Sequence, residues 1–229
     1  MAVKVDVFLA SNSRRPVSSF PVKLAAFALL LLLVPLGLGL STLGGRLNES
    51  VLLRSKLRPG NELSDAEYLQ TTARLDELDS AALGRAATMH RLLGLLASLA
   101  VLFVNGIVIT YFVGTSRWCK EVATTYQMDD ALWRTAAALK RKTFPWSVTA
   151  MLAVVVMVAL GGASNPGTGR PGTADWVQWH LLGALAGAAL IAWVFYIQWT
   201  NIAANGQLVD RIMGEVKRIR IERGLEVEG

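Results

Sequence analysis

The sequence predicts an all-α, polytopic membrane protein. Four transmembrane helices are expected in an up-down-up-down bundle, with a small extracytoplasmic helical hairpin and cytoplasmic helical extensions. Three observations predict this. Only 17% of the 229 residues are charged while 53% are hydrophobic, against about 25% charged in an ordinary soluble domain. The apolar residues gather into four long runs, 24–40, 92–113, 146–163 and 181–199, and none of these contains Asp, Glu, Lys or Arg. Basic residues flank the runs on alternate sides, which orients them in a bilayer.

A hydrocarbon core of about 30 Å needs about 20 mostly apolar helical residues. With their interfacial ends the spans are placed at about 24–41, 91–114, 146–163 and 180–200. Lys4, Arg14, Arg15 and Lys23 precede the first. Arg117, Lys120, Arg134, Lys140, Arg141 and Lys142 separate the second and third, and Arg211, Lys217, Arg218, Arg220 and Arg223 follow the fourth. The loop between the third and fourth holds only Arg170 and Asp175, and residues 42–89 are nearly balanced in charge. Short basic flanks stay cytoplasmic, so both termini are expected there, in the inner (plasma) membrane. Trp146, Trp176, Trp179, Tyr196 and Trp199 stand at the span ends, where aromatic rings prefer the headgroup level. The formal charge of +6 follows from this topology and gives no reason to invoke nucleic acid.

The elements follow in order. Residues 1–23 form a cytoplasmic N-terminal segment. The first span reads as an uncleaved signal anchor, too long for a signal-peptide core and without a small-residue cleavage site. Pro35 is expected to kink it. Residues 42–89 form a helical insert: Pro59-Gly60-Asn61 marks a turn, and Ser64-Asp65-Ala66-Glu67 fits a capping box. Residues 81–89 are expected to run directly into the second span.

Residues 115–145 form a cytoplasmic loop with two short helices, the second starting near Asp129 and Asp130. Thr143-Phe144-Pro145 then leads back into the membrane. Lys140-Arg141-Lys142 suits anionic headgroups. The basic tail, 205–229, is a further helix on which Val209, Ile212, Val216 and Ile219 step by three, four and three, giving one apolar seam. That seam is expected to pack on the loop. Cys119 is the single cysteine and reads as a small apolar residue beside Trp118.

Several function classes find no support. The sequence contains no phosphate-binding loop, dinucleotide-binding glycine pattern, metalloprotease motif or CxxC. The spans lack the ionisable groups that proton-coupled carriers retain. Polar residues within them are Ser98, Asn105, Thr110, Thr149 and a few near the ends, with Asn105 expected to bond to a neighbouring helix.

Only two histidines occur, His90 and His180. His90 precedes the second apolar run by two residues and His180 precedes the fourth by one. These two spans run in the same direction, so both imidazoles fall at one depth near the extracytoplasmic surface. Two axial imidazoles at one depth are what a six-coordinate b-type haem requires. Gly37 and Gly39 in the first span, and Gly161 and Gly162 in the third, stand at that level to give room. Arg85, Arg91 or Arg170 would neutralise propionates.

This layout resembles the cytochrome b type of bundle, whose haem ligands come from the second and fourth helices. That family carries two histidines per ligand helix and stacks two haems, whereas this chain would hold one at most. A zinc or copper ion on His90, His180 and Asp175 is the other metal alternative, though two protein ligands alone are too few for a closed zinc site.

The expected function is that of an integral membrane subunit, anchor or scaffold without its own catalytic site. Its partners are the lipid bilayer and proteins docking on the tail 205–229 or the loop 115–145. The alternative is a single b-haem electron-transfer protein ligated by His90 and His180, with Gly37, Gly161 and Arg91 around the haem.

Overall fold

The structure is a computed structural model that describes residues 19–78, 81–165 and 172–225. The segment carrying Lys4, Arg14 and Arg15, the loop residue Arg170 and the last four residues lie outside these. Among the described residues the chain is all-helical, with six helices and no strand. They are α1 (Ser19–Leu40), α2 (Thr42–Lys56), α3 (Asp65–Leu78), α4 (Ala81–Tyr126), α5 (Asp130–Ala163) and α6 (Asp175–Glu222).

Four of them, α1, α4, α5 and α6, are long and apolar enough to cross a membrane. Phe27 and Leu30 on α1, Leu95 and Phe103 on α4, Leu152 and Val155 on α5, and Trp193 on α6 are all exposed. Large side chains bared to this extent along the uncharged runs of these helices suit a hydrocarbon solvent better than water.

The helices outrun the spans. At 1.5 Å per residue, the 46 residues of α4 and the 48 of α6 extend about 70 Å, more than twice a bilayer core. The short first helix expected in the 115–145 loop is therefore the end of α4, and the tail helix is the end of α6. The second loop helix does begin at Asp130, but it runs without a break through Pro145 to Ala163. Proline removes one N–H and crowds the preceding turn. Here Arg141, Lys142, Phe144 and Pro145 are exposed, so the turn that loses its donor faces outward.

Two compact units emerge, one built from Ala25–Asn105 and Val148–Phe195, the other around Gly106–Ser147 and Tyr196–Gly229. In the first, Ala28, Leu32, Ala97, Val101, Val154, Ile191 and Val194 are buried. Gly183 and Gly187 of α6 let α5 approach closely: Leu160 and Met157 occupy the space a Cβ would need. This is the small-xxx-small packing familiar between membrane helices. Asn105 is fully buried, and its Nδ2 donates to the Val101 carbonyl of its own helix at 2.8 Å.

The hairpin of α2 and α3 belongs to this unit, and the two helices pack on each other. Ser41 caps α2 through the Gly44 amide. Gly44 lies so close to the Gly39 carbonyl that no Cβ fits. Gly60 takes φ +101° in the turn, and Asn61 Nδ2 donates to the carbonyls of Ser55 and Lys56, closing the end of α2. The capping box forms in full. The Ser64 amide and hydroxyl both donate to Glu67 Oε2 (3.0 and 2.7 Å), and the Glu67 amide donates back to Ser64 Oγ. Arg74 of α3 grips Glu49 of α2 through Nε at 2.8 Å.

In the second unit, α4 ends on Gln127, whose φ of +55° places it in the left-handed region. The Met128 amide then donates to the Ala123 carbonyl, the bond that closes a Schellman cap. Asp129 Oδ1 accepts the Ala131 amide at the start of α5. The tail seam packs on the preceding helices: Leu208, Ile212 and Val216 are buried with Cys119, Val122 and Ala136. Val209 lies at the edge of that cluster with Trp118, Leu132 and Trp133. A second cluster joins Val108, Phe112 and Ile202.

Candidate functional site

In the first unit all four long helices contribute to one spot. α4 supplies His90 and α6 supplies His180. Their ring centroids are 6.2 Å apart, with the planes nearly perpendicular at 86°. α1 supplies the Pro35 carbonyl, 3.1 Å from His90 Nδ1, and Gly39, where a Cβ would lie 3.5 Å from His90 Cε1. α5 supplies Gly161, where a Cβ would lie 3.1 Å from His180 Cε1 and 3.5 Å from its Nδ1. Each imidazole thus rests against a glycine of another helix.

The Pro35 contact assigns a tautomer. A carbonyl oxygen only accepts, so His90 Nδ1 carries the proton and donates. Nε2 then keeps its lone pair, the arrangement in which a backbone-anchored histidine serves as a metal ligand. His180 differs. Its Nδ1 is buried and has no hydrogen-bond partner, although buried polar atoms are nearly always paired. An unpartnered imidazole nitrogen beside a second imidazole is a coordination feature as much as a packing one.

The other sequence-chosen residues divide. Gly161 is at the site. Gly37 is not: a Cβ there would meet nothing within 4 Å, and Gly39 takes the place against His90. Gly162 likewise faces open space. Arg91 is exposed, and its guanidinium donates to Thr88 Oγ1 on its own helix at 3.4 Å. Arg85 is exposed too. Asp175 does not join the histidines: among the described residues no three His, Cys, Asp or Glu side chains gather as metal ligands.

The pair can be tested against a haem. Two imidazoles on one metal, each with a bond of about 2 Å, place their ring centres roughly 6 Å apart once the ring radii are added. The observed 6.2 Å matches that separation, while Cε1 and both nitrogens of His180 lie within 4 Å of where a Gly161 Cβ would stand. In ring separation the pair matches two imidazole ligands of one metal.

One polar constellation has no counterpart in the sequence reading. In the second unit α6 presents Gln198, Asn201 and Asn205, all buried. Gln198 Nε2 donates to Ser147 Oγ at 2.9 Å, and Asn201 Nδ2 to Thr143 Oγ1 at 3.0 Å. Asn205 Nδ2 donates to Tyr111 Oη and Thr115 Oγ1 at 3.0 and 3.2 Å. The spacing of three and four along one helical face was the available signal.

No protein-family model, curated protein or solved structure matches this chain.

Proposed function

We propose that this chain is a multi-pass protein of the inner (plasma) membrane, with both termini cytoplasmic. In this reading His90 and His180 hold a single b-type haem for electron transfer. One observation carries it: the chain's only two histidines, 90 residues apart in sequence, meet at 6.2 Å. Chance placement of two interfacial histidines gives no reason for contact, nor for a glycine of another helix under each ring. His90, oriented by the Pro35 carbonyl, and His180 would hold the haem, with Gly39 and Gly161 accommodating the two rings. A bound haem would supply a one-electron redox couple, and the chain's own part is to bind and orient it.

The first test is an absorption spectrum of the detergent-purified protein before and after dithionite. The expected result is a reduced-minus-oxidised band of b type, lost in both His90→Ala and His180→Ala. A flat visible spectrum from cells well supplied with haem overturns the haem reading. Orientation is tested separately by reporter fusions at residue 60, expected outside, and after residue 225, expected inside.

A second reading keeps the topology without the haem, as a membrane subunit, anchor or scaffold lacking a catalytic site. What favours it is the end of α6, where Arg211, Lys217, Arg218 and the apolar Ile221 and Leu225 are exposed. Such a surface suits a protein partner docking on the tail 205–229 or the loop 115–145. It predicts a stable co-purifying partner that is lost on truncation after residue 207.

A further inference from the structure

Three consecutive cations on α5, Lys140, Arg141 and Lys142, have no carboxylate partner among the described residues. Other cations of the second unit are compensated. Arg117 pairs with Glu121, Arg134 with Asp130, and Arg218 with Glu215 and Glu222. Lys120 lies over the Trp133 ring, 5.5 Å from its centre. Arg141 and Lys142 are exposed, and so are Phe144 and Pro145 just beyond them, whereas Thr143 is turned inward and buried. One outward turn of α5 therefore carries free positive charge directly beside a half-exposed phenyl ring.

Distance along the helix separates this turn from the other unpaired cations of the unit. Lys142 and Arg141 stand four and five residues before Trp146, where the apolar run of α5 begins. At 1.5 Å per residue that is about 6–8 Å, about the depth of one headgroup layer beside a core of about 30 Å. Arg211, Lys217 and Arg223 of the α6 end are exposed and also outside the described ion pairs. They lie 12 to 24 residues past Trp199, where the apolar run of α6 ends. That is about 18–36 Å, beyond the headgroups and beyond the Debye length of about 8 Å at physiological salt. Free charge at headgroup depth is thus concentrated on α5.

We infer that Lys140, Arg141 and Lys142 form a docking surface for the headgroup phosphate of an anionic phospholipid in the surrounding bilayer, with Phe144 beside the start of its acyl chains. Charge complementarity selects an anionic headgroup over a zwitterionic one. The short distance to the apolar run and the exposed Phe144 select a lipid over a soluble anion. The contact is on the outer surface of α5 and needs no cavity. The inference rests on the multi-pass reading and is independent of the haem.

The test is native mass spectrometry of the full-length protein in neutral detergent, titrated with phosphatidylglycerol and with phosphatidylcholine. One basic residue near an anionic headgroup is worth about fivefold in affinity, so phosphatidylglycerol should bind at least about fivefold more tightly. The triple variant Lys140→Gln, Arg141→Gln, Lys142→Gln should bring the two lipids close to parity. Glutamine is as good a helix former as lysine or arginine, so α5 is retained. The triple variant Arg211→Gln, Lys217→Gln, Arg223→Gln removes the same charge far from the apolar run and should keep the preference. Inorganic phosphate, at an ionic strength matched with chloride, should not displace phosphatidylglycerol. No preference in the unmodified protein, equal losses in the two triple variants, or displacement by inorganic phosphate would each overturn the surface. A chain recovered without detergent would overturn the multi-pass reading first, and is told apart by that behaviour.

Discussion

The imidazole of His180 lies against the backbone of Gly161, so closely that a Cβ there would stand 3.1 Å from Cε1. Gly161→Ala is therefore expected to displace the ring while changing the fold little. The methyl group crowds the imidazole, but alanine gains up to about 1 kcal/mol of helix propensity over glycine, and the two effects oppose each other. Thermal stability should stay within about 1 kcal/mol of the parent. On the haem proposal, the b-type band should shift, or its yield fall. Gly37→Ala, with nothing within 4 Å, should alter neither. Like behaviour of the two variants would show that Gly161 does not seat the ring.

The histidine pair was legible in the sequence because both residues stand just before long uncharged runs, which the sequence reading placed at one depth. Which glycine serves His90 was not. Gly37 and Gly39 are two residues apart, about 200° around a helix, so they face nearly opposite ways, and choosing between them needs the rotation of α1. Pro35 and Gly39 are four apart, share a face and both reach His90. Arg91 points away from the ring pair for a similar reason. It neighbours His90 in sequence, but the next residue on a helix points about 100° away.

Asn201 and Thr143 form the central rung of the polar ladder between α6 and α5, with both residues buried. A double-mutant cycle of Asn201→Leu and Thr143→Val should give a coupling of about 0.5–1.5 kcal/mol, the range of hydrogen bonds between membrane helices. The two single changes should together cost more than the double change, because each single leaves a buried partner unsatisfied. Unfolding in mixed micelles measures it. A coupling indistinguishable from zero would mean that the rung adds nothing to helix association.

The ladder escaped the sequence reading because Gln198, Asn201 and Asn205 stand where an apolar run ends, and polar residues there read as an interface. The long helices were underestimated for a related reason. The polar stretches after the apolar runs of α4 and α6 carry the signs of a loop and a tail, but a helix need not stop where its apolar run ends. Helix α4 continues because Cys119 and Val122 are buried against Leu208, Ile212 and Val216 of α6. That tertiary contact lies almost 90 residues away in sequence and outweighs the local composition.

The capping box on α3 makes a pH prediction. Glu67 accepts from the Ser64 hydroxyl and amide, and the hydroxyl bond first, then the amide bond, holds its carboxyl below the usual range. A depressed folded-state value means that the contribution is present above the ordinary glutamate pKa of about 4.3 and is lost as pH falls through the lower, folded value. Hydrogen exchange at the first-turn amides of α3 should therefore accelerate below about pH 4, beyond the intrinsic change. In Glu67→Gln that extra acceleration should vanish. Its persistence would assign the acid sensitivity to another carboxylate.

Ile212 and Cys119 lie in one cluster, both completely buried. Ile212→Ala removes the side chain that joins α6 to α4 and α5 there, and truncating a buried isoleucine costs about 2–5 kcal/mol. The change is expected to loosen this cluster locally. Cys119 reports it directly, since it is the chain's single cysteine. In the parent protein a maleimide should label it slowly, at a rate set by opening of the cluster. In Ile212→Ala labelling should accelerate by at least about tenfold, the effect of 1.4 kcal/mol on an opening equilibrium. The exposed Arg211→Ala should label like the parent. Fast labelling of the parent itself would mean that the α6 extension does not stay packed on α4, and the partner-docking surface would then include the seam Leu208, Ile212 and Val216.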